Sequence, residues 1–167
     1  MEYLDLYDEN RNFTGNTILR GSGKPEPGNF INLVIIFIKN DENKFLIQKT
    51  SKEKKGIWAT TGGHVKSGQT FKEAIIEEVK EELGIDISRE NFKLVYTEKF
   101  EFAFMDVYYL EKNIDIKDMK IQEEEVEFVK WLSIDEIRKL IENGEFRRGN
   151  INAFEYIIKK CIKQTYL

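Results

Sequence analysis

Three glutamates near the middle of the chain have the spacing of a metal-binding group. Glu78, Glu81 and Glu82 are related as i, i+3 and i+4, so on a helix their side chains lie on one face, about 5–6 Å apart at Cβ. Carboxylates at this separation repel one another unless a cation lies among them. Oxygen ligands of this kind suit Mg²⁺ or Mn²⁺, which also accept phosphate oxygens from a substrate. The helix alone leaves a second interpretation open, a solvated acidic face.

The segment around these glutamates is predicted to form a helix that follows closely on a glycine pair, Gly62 and Gly63. Its apolar residues recur at helical spacing and form one stripe, namely Phe71, Ala74, Ile75, Val79, Leu83 and Ile85. Thr70 and Glu73 have the spacing of a capping box, and Gly84 is placed to end the helix in a left-handed conformation. The pattern therefore predicts a helix with a buried stripe and a carboxylate face.

The composition predicts one domain and argues against several kinds of partner. The chain has 167 residues, 41% of them hydrophobic, which suits a single compact domain over residues 1–167. A net charge of −4 gives no electrostatic footprint for a nucleic acid or a membrane surface. The single cysteine, Cys161, cannot form an internal disulfide, and no signal peptide or long apolar run is present, so a cytoplasmic location is expected.

The remaining elements are expected to hold the glycine pair and the helix in place. Residues 1–29 are predicted to form an N-terminal hairpin and a loop, residues 30–142 the core, and residues 143–167 a C-terminal helix. Strands are predicted at 30–38, 44–48, 91–104, 105–112 and 126–132, and further helices at 134–142 and 151–162. Phe100, Phe102 and Phe104 alternate along one of these strands and are expected in the core, against the alternative of a base-stacking platform.

The chain resembles the Nudix family at the glycine pair and the acidic helix. The Nudix box has the pattern G-x5-E-x7-R-E-U-x-E-E-x-G-U, in which U is a bulky aliphatic residue. The residues that match it in register are Gly63, Glu78, Val79, Glu81, Glu82, Gly84 and Ile85. The resemblance covers residues 30–142 and implies an α+β fold, a Nudix-type α/β/α sandwich with a mixed central sheet, to which the N-terminal hairpin is added.

Two positions depart from this pattern. Gln69 stands where the box has its first glutamate, and Glu77 stands where it has arginine. The arginine of the family helps to orient neighbouring glutamates, so its replacement leaves Glu77 and Glu81 as a like-charged i, i+4 pair. A cation or a lysine is expected to supply the missing positive charge, with Lys80 as one candidate. Glu73 is a candidate to replace the lost glutamate.

The resemblance implies a hydrolase that cleaves a diphosphate linkage in a nucleoside diphosphate derivative or a related organic diphosphate. Glu78, Glu81 and Glu82 would be the catalytic metal ligands for Mg²⁺ or Mn²⁺, together with the backbone carbonyl of Gly62. The resemblance implies that a metal held by these residues would supply positive charge to the diphosphate and lower the pKa of an attacking water.

A general base and substrate-binding residues are sought outside the helix. Glu125 is the first choice for the base, ahead of the two glutamates before it, and the alternative is an acidic surface loop. Gly63 and His64 are candidate substrate-binding residues, although a loop histidine can also simply satisfy backbone groups. Lys54 and Lys55 are candidate phosphate-binding cations, and the alternative is a solvated basic loop.

Other functions remain open at this point. Residues 62–65, GGHV, also resemble the branch related to isopentenyl-diphosphate isomerases, but Gly62 stands where those enzymes have a catalytic cysteine, so hydrolysis is favoured. A nucleotide-binding module without turnover is a further alternative, motivated by Gln69 and Glu77. Asp106 is considered as another site residue, against an exposed or capping role.

Substrate selection is expected from the loops at 21–28, 49–57 and 113–123, whose composition does not define a pocket. The expected partner is a small-molecule diphosphate. The resemblance also leaves a homodimer open, because Nudix proteins are often dimers, although nothing in the sequence marks an interface.

Overall fold

A mixed sheet of seven strands lies at the centre of the molecule, whose computed structural model describes residues 1–162. The central sheet contains β3 (Ile31–Lys39), β4 (Lys44–Thr50), β5 (Trp58–Ala59), β6 (Thr61–His64), β7 (Lys93–Lys99), β8 (Ala103–Glu111) and β9 (Val126–Ser133). Two further strands, β1 (Tyr3–Tyr7) and β2 (Phe13–Leu19), pair with each other. The helices are α1 (Phe71–Leu83), α2 (Ile134–Glu142) and α3 (Ile151–Lys160).

Strand β3 is the centre of the sheet, as its nearly continuous apolar sequence predicts. It pairs in parallel with β8 along its whole length, and antiparallel with β6 from Leu33 to Ile36. Strand β4 pairs with β9 throughout but meets β3 only at the pair Lys39 and Phe45. The glycine pair lies on β6 and is therefore fixed by hydrogen bonds to this central strand.

Side chains of β3 alternate between two apolar layers. Val34 and Ile36 face one layer, where they meet the buried stripe of α1, and Ile35 and Phe37 face the other, where α2 and α3 pack. The sheet is thus covered by one helix on one side and two on the other. The predicted fold class, α+β with a mixed central sheet in an α/β/α sandwich, is confirmed.

Helix α1 has the boundaries that its sequence predicts. Thr70 and Glu73 form a reciprocal capping box, with Thr70 Oγ1 accepting from the Glu73 amide at 3.1 Å. Gly84 ends the helix with a φ of 69°, in the left-handed region that glycine tolerates best. The apolar stripe is buried under the sheet, which leaves the glutamates to face β6 and solvent.

The predicted N-terminal hairpin is confirmed as a two-stranded sheet of β1 and β2 that is tied to the core. Tyr7 exchanges two backbone hydrogen bonds with Phe30, each 2.8 Å long. Arg11 extends from the hairpin turn and donates to Asp106 on β8 at 2.8 Å. Thr97 Oγ1 donates to the same carboxylate oxygen at 2.8 Å. Asp106 is therefore neither exposed nor a cap, but a buried acceptor that fastens the hairpin.

The long strand predicted at 91–104 is wrong in its second half. Strand β7 ends at Lys99, and a turn closed by the Phe100 amide and the Ala103 carbonyl, at 2.7 Å, leads into β8. Phe100 and Phe102 lie in this turn and are only partly buried, whereas the core position predicted for Phe104 is confirmed on β8. Of the helices in the described part of the chain, none is long and apolar enough to cross a membrane.

Candidate functional site

The glycine pair on β6 lies directly against the acidic face of α1. A Cβ atom on Gly63 would overlap the carboxylate of Glu78, and a Cβ on Gly62 would overlap the carbonyl oxygen of Val34 on β3. Gly62 therefore needs glycine because a side chain there would meet backbone atoms, whereas a side chain at Gly63 would require the Glu78 carboxylate to move. This arrangement presses the Glu78 carboxylate against the strand.

Glu82 is the most buried acidic side chain of the helix, with 7% of its surface exposed. Its Oε1 accepts a hydrogen bond from Gln48 Nε2 at 2.9 Å, and Gln48 Oε1 accepts from Thr61 Oγ1 at 3.0 Å. Its Oε2 is buried and has no hydrogen-bond partner within residues 1–162. Burial raises the pKa of Glu82 to about 7, against the opposing effect of the Gln48 hydrogen bond, and the Glu125 charge raises it further.

Glu78 and Glu81 complete the acidic face but differ in exposure. Burial raises the pKa of Glu78 to about 8, and the charges of Glu82 and Glu81 act in the same direction. Glu81 is exposed, and its pKa is raised by partial desolvation and then by its contact with Glu77. Carboxylates with pKa values raised in this way gain most from a neighbouring cation, because a positive charge favours their ionised form.

The donor set fits a divalent metal ion, although the side chains are not yet gathered around one. Within residues 1–162 no three histidine, cysteine, aspartate or glutamate side chains are grouped as a metal site in their present positions. The unpartnered Oε2 of Glu82 is nevertheless an oxygen ligand in need of a donor or cation, and Glu78 lies one turn before it.

A cavity of about 600 Å³ opens in front of the glycine pair. Gly62, Gly63 and His64 line one side of it. The cavity also has cationic, acidic and apolar parts, formed by Arg20, Lys54, Arg147, Glu125, Leu33, Phe100, Phe102 and Met105 among others. A space of this size and mixed lining can accept a small molecule that combines a charged group with an apolar one.

His64 is half-buried in the cavity wall. Burial lowers its pKa, and the nearby Arg20 charge lowers it further. Its Nδ1 atom is buried and has no hydrogen-bond partner in the described part of the chain. The imidazole is therefore neutral at physiological pH and able to accept or donate one hydrogen bond to a ligand.

The structure brings most of the predicted site residues together. Lys54 lines the cavity and lies 3.5 Å from Glu125, which lines it too. The Glu125 loop is held by Ser51, whose amide donates to the Glu125 carbonyl at 3.0 Å and whose Oγ donates to the Glu124 carbonyl at 2.8 Å. Lys55 is different, because it follows a short 3-10 turn in a left-handed conformation, with φ 79°, and lies exposed outside the cavity.

Several cavity residues were missed by sequence reasoning. Arg20 directly follows strand β2, and Arg147 lies in the connection between α2 and α3; neither was predicted as a site residue. Phe100 and Phe102 were assigned to a core strand, and the loop at 113–123, expected to select substrate, does not line this cavity. A pair of arginines beside glycine at 147–149 was the one signal available.

The two departures from the box pattern form one connected group. Lys66 Nζ lies 2.7 Å from the Glu77 carboxylate and 3.3 Å from Glu2. The side-chain amide of Gln69 donates a hydrogen bond to the other Glu77 oxygen. The missing positive charge thus comes from Lys66 and not from Lys80, which forms no salt bridge within the described residues. Glu73 does not replace Gln69, because its carboxylate accepts from the Thr70 amide in the capping box.

Comparison with known proteins agrees with this geometry. The model of the NUDIX domain family matches residues 30–154, which extends the expected region into α3. An uncharacterized Nudix hydrolase of Listeria innocua is 35% identical over 150 residues, covering 87% of this chain and 88% of that protein. The NAD-capped RNA hydrolase NudC of Pseudomonas aeruginosa is 21% identical over 122 residues, which is 73% of this chain and 42% of NudC.

A solved structure supports the same assignment at the level of the fold. The crystal structure of DR0079 from Deinococcus radiodurans superposes with a TM-score of 0.79 at 23% identity, covering 97% of this chain and 100% of DR0079. The shared architecture therefore includes the hairpin as well as the sandwich. Since the family match spans the glycine pair, the acidic helix and most of the cavity wall, the chain belongs to the Nudix family and is a hydrolase of diphosphate compounds.

Proposed function

We propose that this protein hydrolyses a diphosphate linkage in a nucleoside diphosphate derivative or a related organic diphosphate, with Mg²⁺ or Mn²⁺ as its cofactor. The observation that supports this most is the free, buried oxygen of Glu82 one turn from the raised-pKa carboxylate of Glu78. Glu78 in turn lies against Gly63, which lines the cavity. Glu78, Glu81 and Glu82, with the carbonyl of Gly62, would hold the metal. A bound divalent cation would neutralise phosphate oxygens and acidify a bound water.

The chain's own residues have distinct parts in this proposal. Gly63 allows Glu78 to lie against β6, and the Gln48 hydrogen bond fixes one oxygen of Glu82 so that the other is presented. Glu125 is the proposed general base, because it is the glutamate of its loop that lines the cavity. Lys54, 3.5 Å away, holds that carboxylate close to the phosphate-binding region. His64 would donate a hydrogen bond from the same wall.

The test is a release assay on a panel of nucleoside diphosphate derivatives with Mg²⁺ and with Mn²⁺. We expect Glu82→Gln and Glu78→Gln to lose nearly all turnover while they remain folded, because an amide is a poor ligand for a hard cation. Glu142→Gln is the matched control, since Glu142 is exposed at the end of α2. Full activity in both site variants would refute the assignment of these residues.

The isomerase branch provides the second function to be tested. Its support is the GGHV segment, which places His64 in the cavity. Cys161, however, packs beside α3 in the apolar layer under α2 and α3 and does not line the cavity, so it cannot replace the cysteine absent at Gly62. Double-bond migration in isopentenyl diphosphate would favour this branch. Stabilisation by a nucleotide without any hydrolysis would instead favour a binding module.

A further inference from the structure

We propose that Arg147 binds a phosphate group of the substrate in the cavity beside the acidic face of α1. The inference rests on the proposed function because it assumes a diphosphate ligand. It assigns substrate binding to a residue outside the Nudix box. Arg147 lies after α2, on a connection that contributes no residue to the acidic face.

Arg147 is distinguished from the other cavity cations by its lack of a partner. Arg20 is paired with Glu2 at 2.7 Å, and Lys54 with Glu125 at 3.5 Å. Across residues 1–162, the guanidinium of Arg147 takes part in no salt bridge. A half-buried cation without an anion is unfavourable, so a negatively charged ligand would complete this group.

The position of Arg147 is fixed through its backbone. Its amide donates to the Trp58 carbonyl at 2.8 Å, and the Trp58 amide donates to the Glu145 carbonyl at 2.9 Å. Phe146, the residue before it, is 3% exposed and packs in the layer under α3. Asn150 Oδ1 accepts from the Thr60 amide at 3.1 Å, beside the glycine pair. A cation on such a segment loses little backbone freedom when a ligand binds.

The charge of Arg147 interacts with those of Glu82, a proposed metal ligand, and Glu125, the proposed general base. Burial lowers the pKa of Arg147, while the charges of Glu82 and Glu125 act in the opposite direction. The guanidinium therefore remains charged and lies within the field of both carboxylates without pairing with either. Its planar fork matches two oxygens of one phosphate, which a lysine at this position would not do.

The neighbours of Arg147 also indicate the kind of group that carries the phosphate. Phe100 Cζ lies 4.0 Å from the position that a Cβ would take on Gly149, so the segment after Arg147 meets the aromatic turn between β7 and β8. Phe102 and Met105 line the same cavity. A diphosphate whose organic half is apolar or aromatic can thus contact the cation and the rings together.

The experiment compares Arg147→Met, Arg147→Lys and the control Arg148→Met. Arg148 is the adjacent arginine, exposed and outside the cavity. Binding of methylenediphosphonate, a diphosphate that cannot be hydrolysed, is measured by calorimetry with Mg²⁺ present. We expect Arg147→Met to raise Kd about tenfold or more, because a charge-assisted hydrogen bond is lost. Arg147→Lys should raise Kd less, and Arg148→Met should leave it unchanged.

Steady-state kinetics provide the second measurement. We expect Arg147→Met to raise KM with a smaller change in kcat, because the contact is made before the chemical step. An unchanged Kd in Arg147→Met, or an equal loss in Arg148→Met, would overturn the inference. Melting temperatures show whether each variant folds. If Arg147→Met does not fold, an unchanged affinity in Arg147→Lys would overturn the inference.

This design separates the two proposals. If the natural chain hydrolyses none of the tested diphosphates but Arg147→Met still loses affinity for methylenediphosphonate, the phosphate-binding role stands and the hydrolase substrate class fails. If the chain hydrolyses a diphosphate and Arg147→Met binds and turns it over normally, the hydrolase assignment stands and the role of Arg147 fails.

Discussion

Lys66 Nζ lies 2.7 Å from the carboxylate of Glu77, the residue that occupies the arginine position of the Nudix box. The ion pair raises the pKa of Lys66 and lowers that of Glu77, so both groups are charged. Gln69 donates to the same carboxylate from the position of the first box glutamate. The two departures from the box pattern, Gln69 and Glu77, are therefore in direct contact. Glu77 on the helix is held by the Lys66 cation and the Gln69 amide, both in the loop before it.

The first prediction concerns this ion pair. Lys66→Met should lower the free energy of unfolding by ~0.5–1 kcal/mol, because the pair is partly exposed and its loss leaves Glu77 beside Glu81 without a nearby cation. Urea denaturation at low salt measures the change. Lys80→Met, on the exposed side of the same helix, is the control and should have a smaller effect. Equal effects of the two substitutions would show that Lys66 has no special role.

The second prediction tests whether the two departures depend on each other. Glu77→Arg alone places a second cation next to Lys66 and should destabilise the protein. Adding Gln69→Glu supplies an anion within reach of the new arginine and should recover much of the loss. The measurement is a double-mutant cycle, and we expect a coupling energy of ~1 kcal/mol between residues in contact. Additive effects would mean that these positions act independently.

The local parts of the fold and site follow from the sequence because local rules determine them. The caps of α1 depend on Thr70, Glu73 and Gly84, which are close in the chain, and the glutamate spacing places Glu78 and Glu82 on one face. Period-two alternation failed for Phe100 and Phe102, because a turn and a strand can carry the same pattern over a few residues.

The long-range parts of the site could not be predicted in this way. Arg147 reaches the cavity because Trp58 and Phe146 form a bridge between segments that are far apart in the chain. Lys66 reaches Glu77 because the loop before α1 folds back on the helix, where Ser67 also donates to the Tyr3 carbonyl at 2.8 Å. No periodicity or motif encodes contacts of this kind, which depend on the assembled sheet.

The third prediction is a pH dependence of the metal-free protein. The pKa of Glu78 is about 8 and that of Glu82 about 7 in the folded state, both above the ordinary value of 4.5. At pH values between the unfolded pKa of 4.5 and the raised folded pKa of each group, the folded state binds more protons than the unfolded state. The free energy of unfolding should therefore fall as pH rises from about 5 to about 8.5. Thermal unfolding in a chelator measures this, and added Mg²⁺ should reduce the fall.

The control for this pH dependence is Glu78→Gln, which cannot ionise. Its melting temperature should depend less on pH than that of the natural chain over the same interval, because one of the two groups that gain protons on folding is absent. A slope equal to that of the natural chain would assign the pH dependence to other groups.

The last prediction concerns the glycine that lies against Glu78. Gly63→Ala places a Cβ atom where the Glu78 carboxylate now lies, so the carboxylate must move away from β6. We expect a loss of about 1 kcal/mol in stability, the low end of the range for overpacking, because the end of a flexible side chain can shift. The loss of hydrolytic activity should be larger, since Glu78 is a proposed metal ligand. In a Glu78→Ala background the same glycine substitution should cost much less stability, because the overlapping carboxylate is gone. If Gly63→Ala is equally destabilising in both backgrounds, the glycine is required by the strand itself and not by the carboxylate beside it.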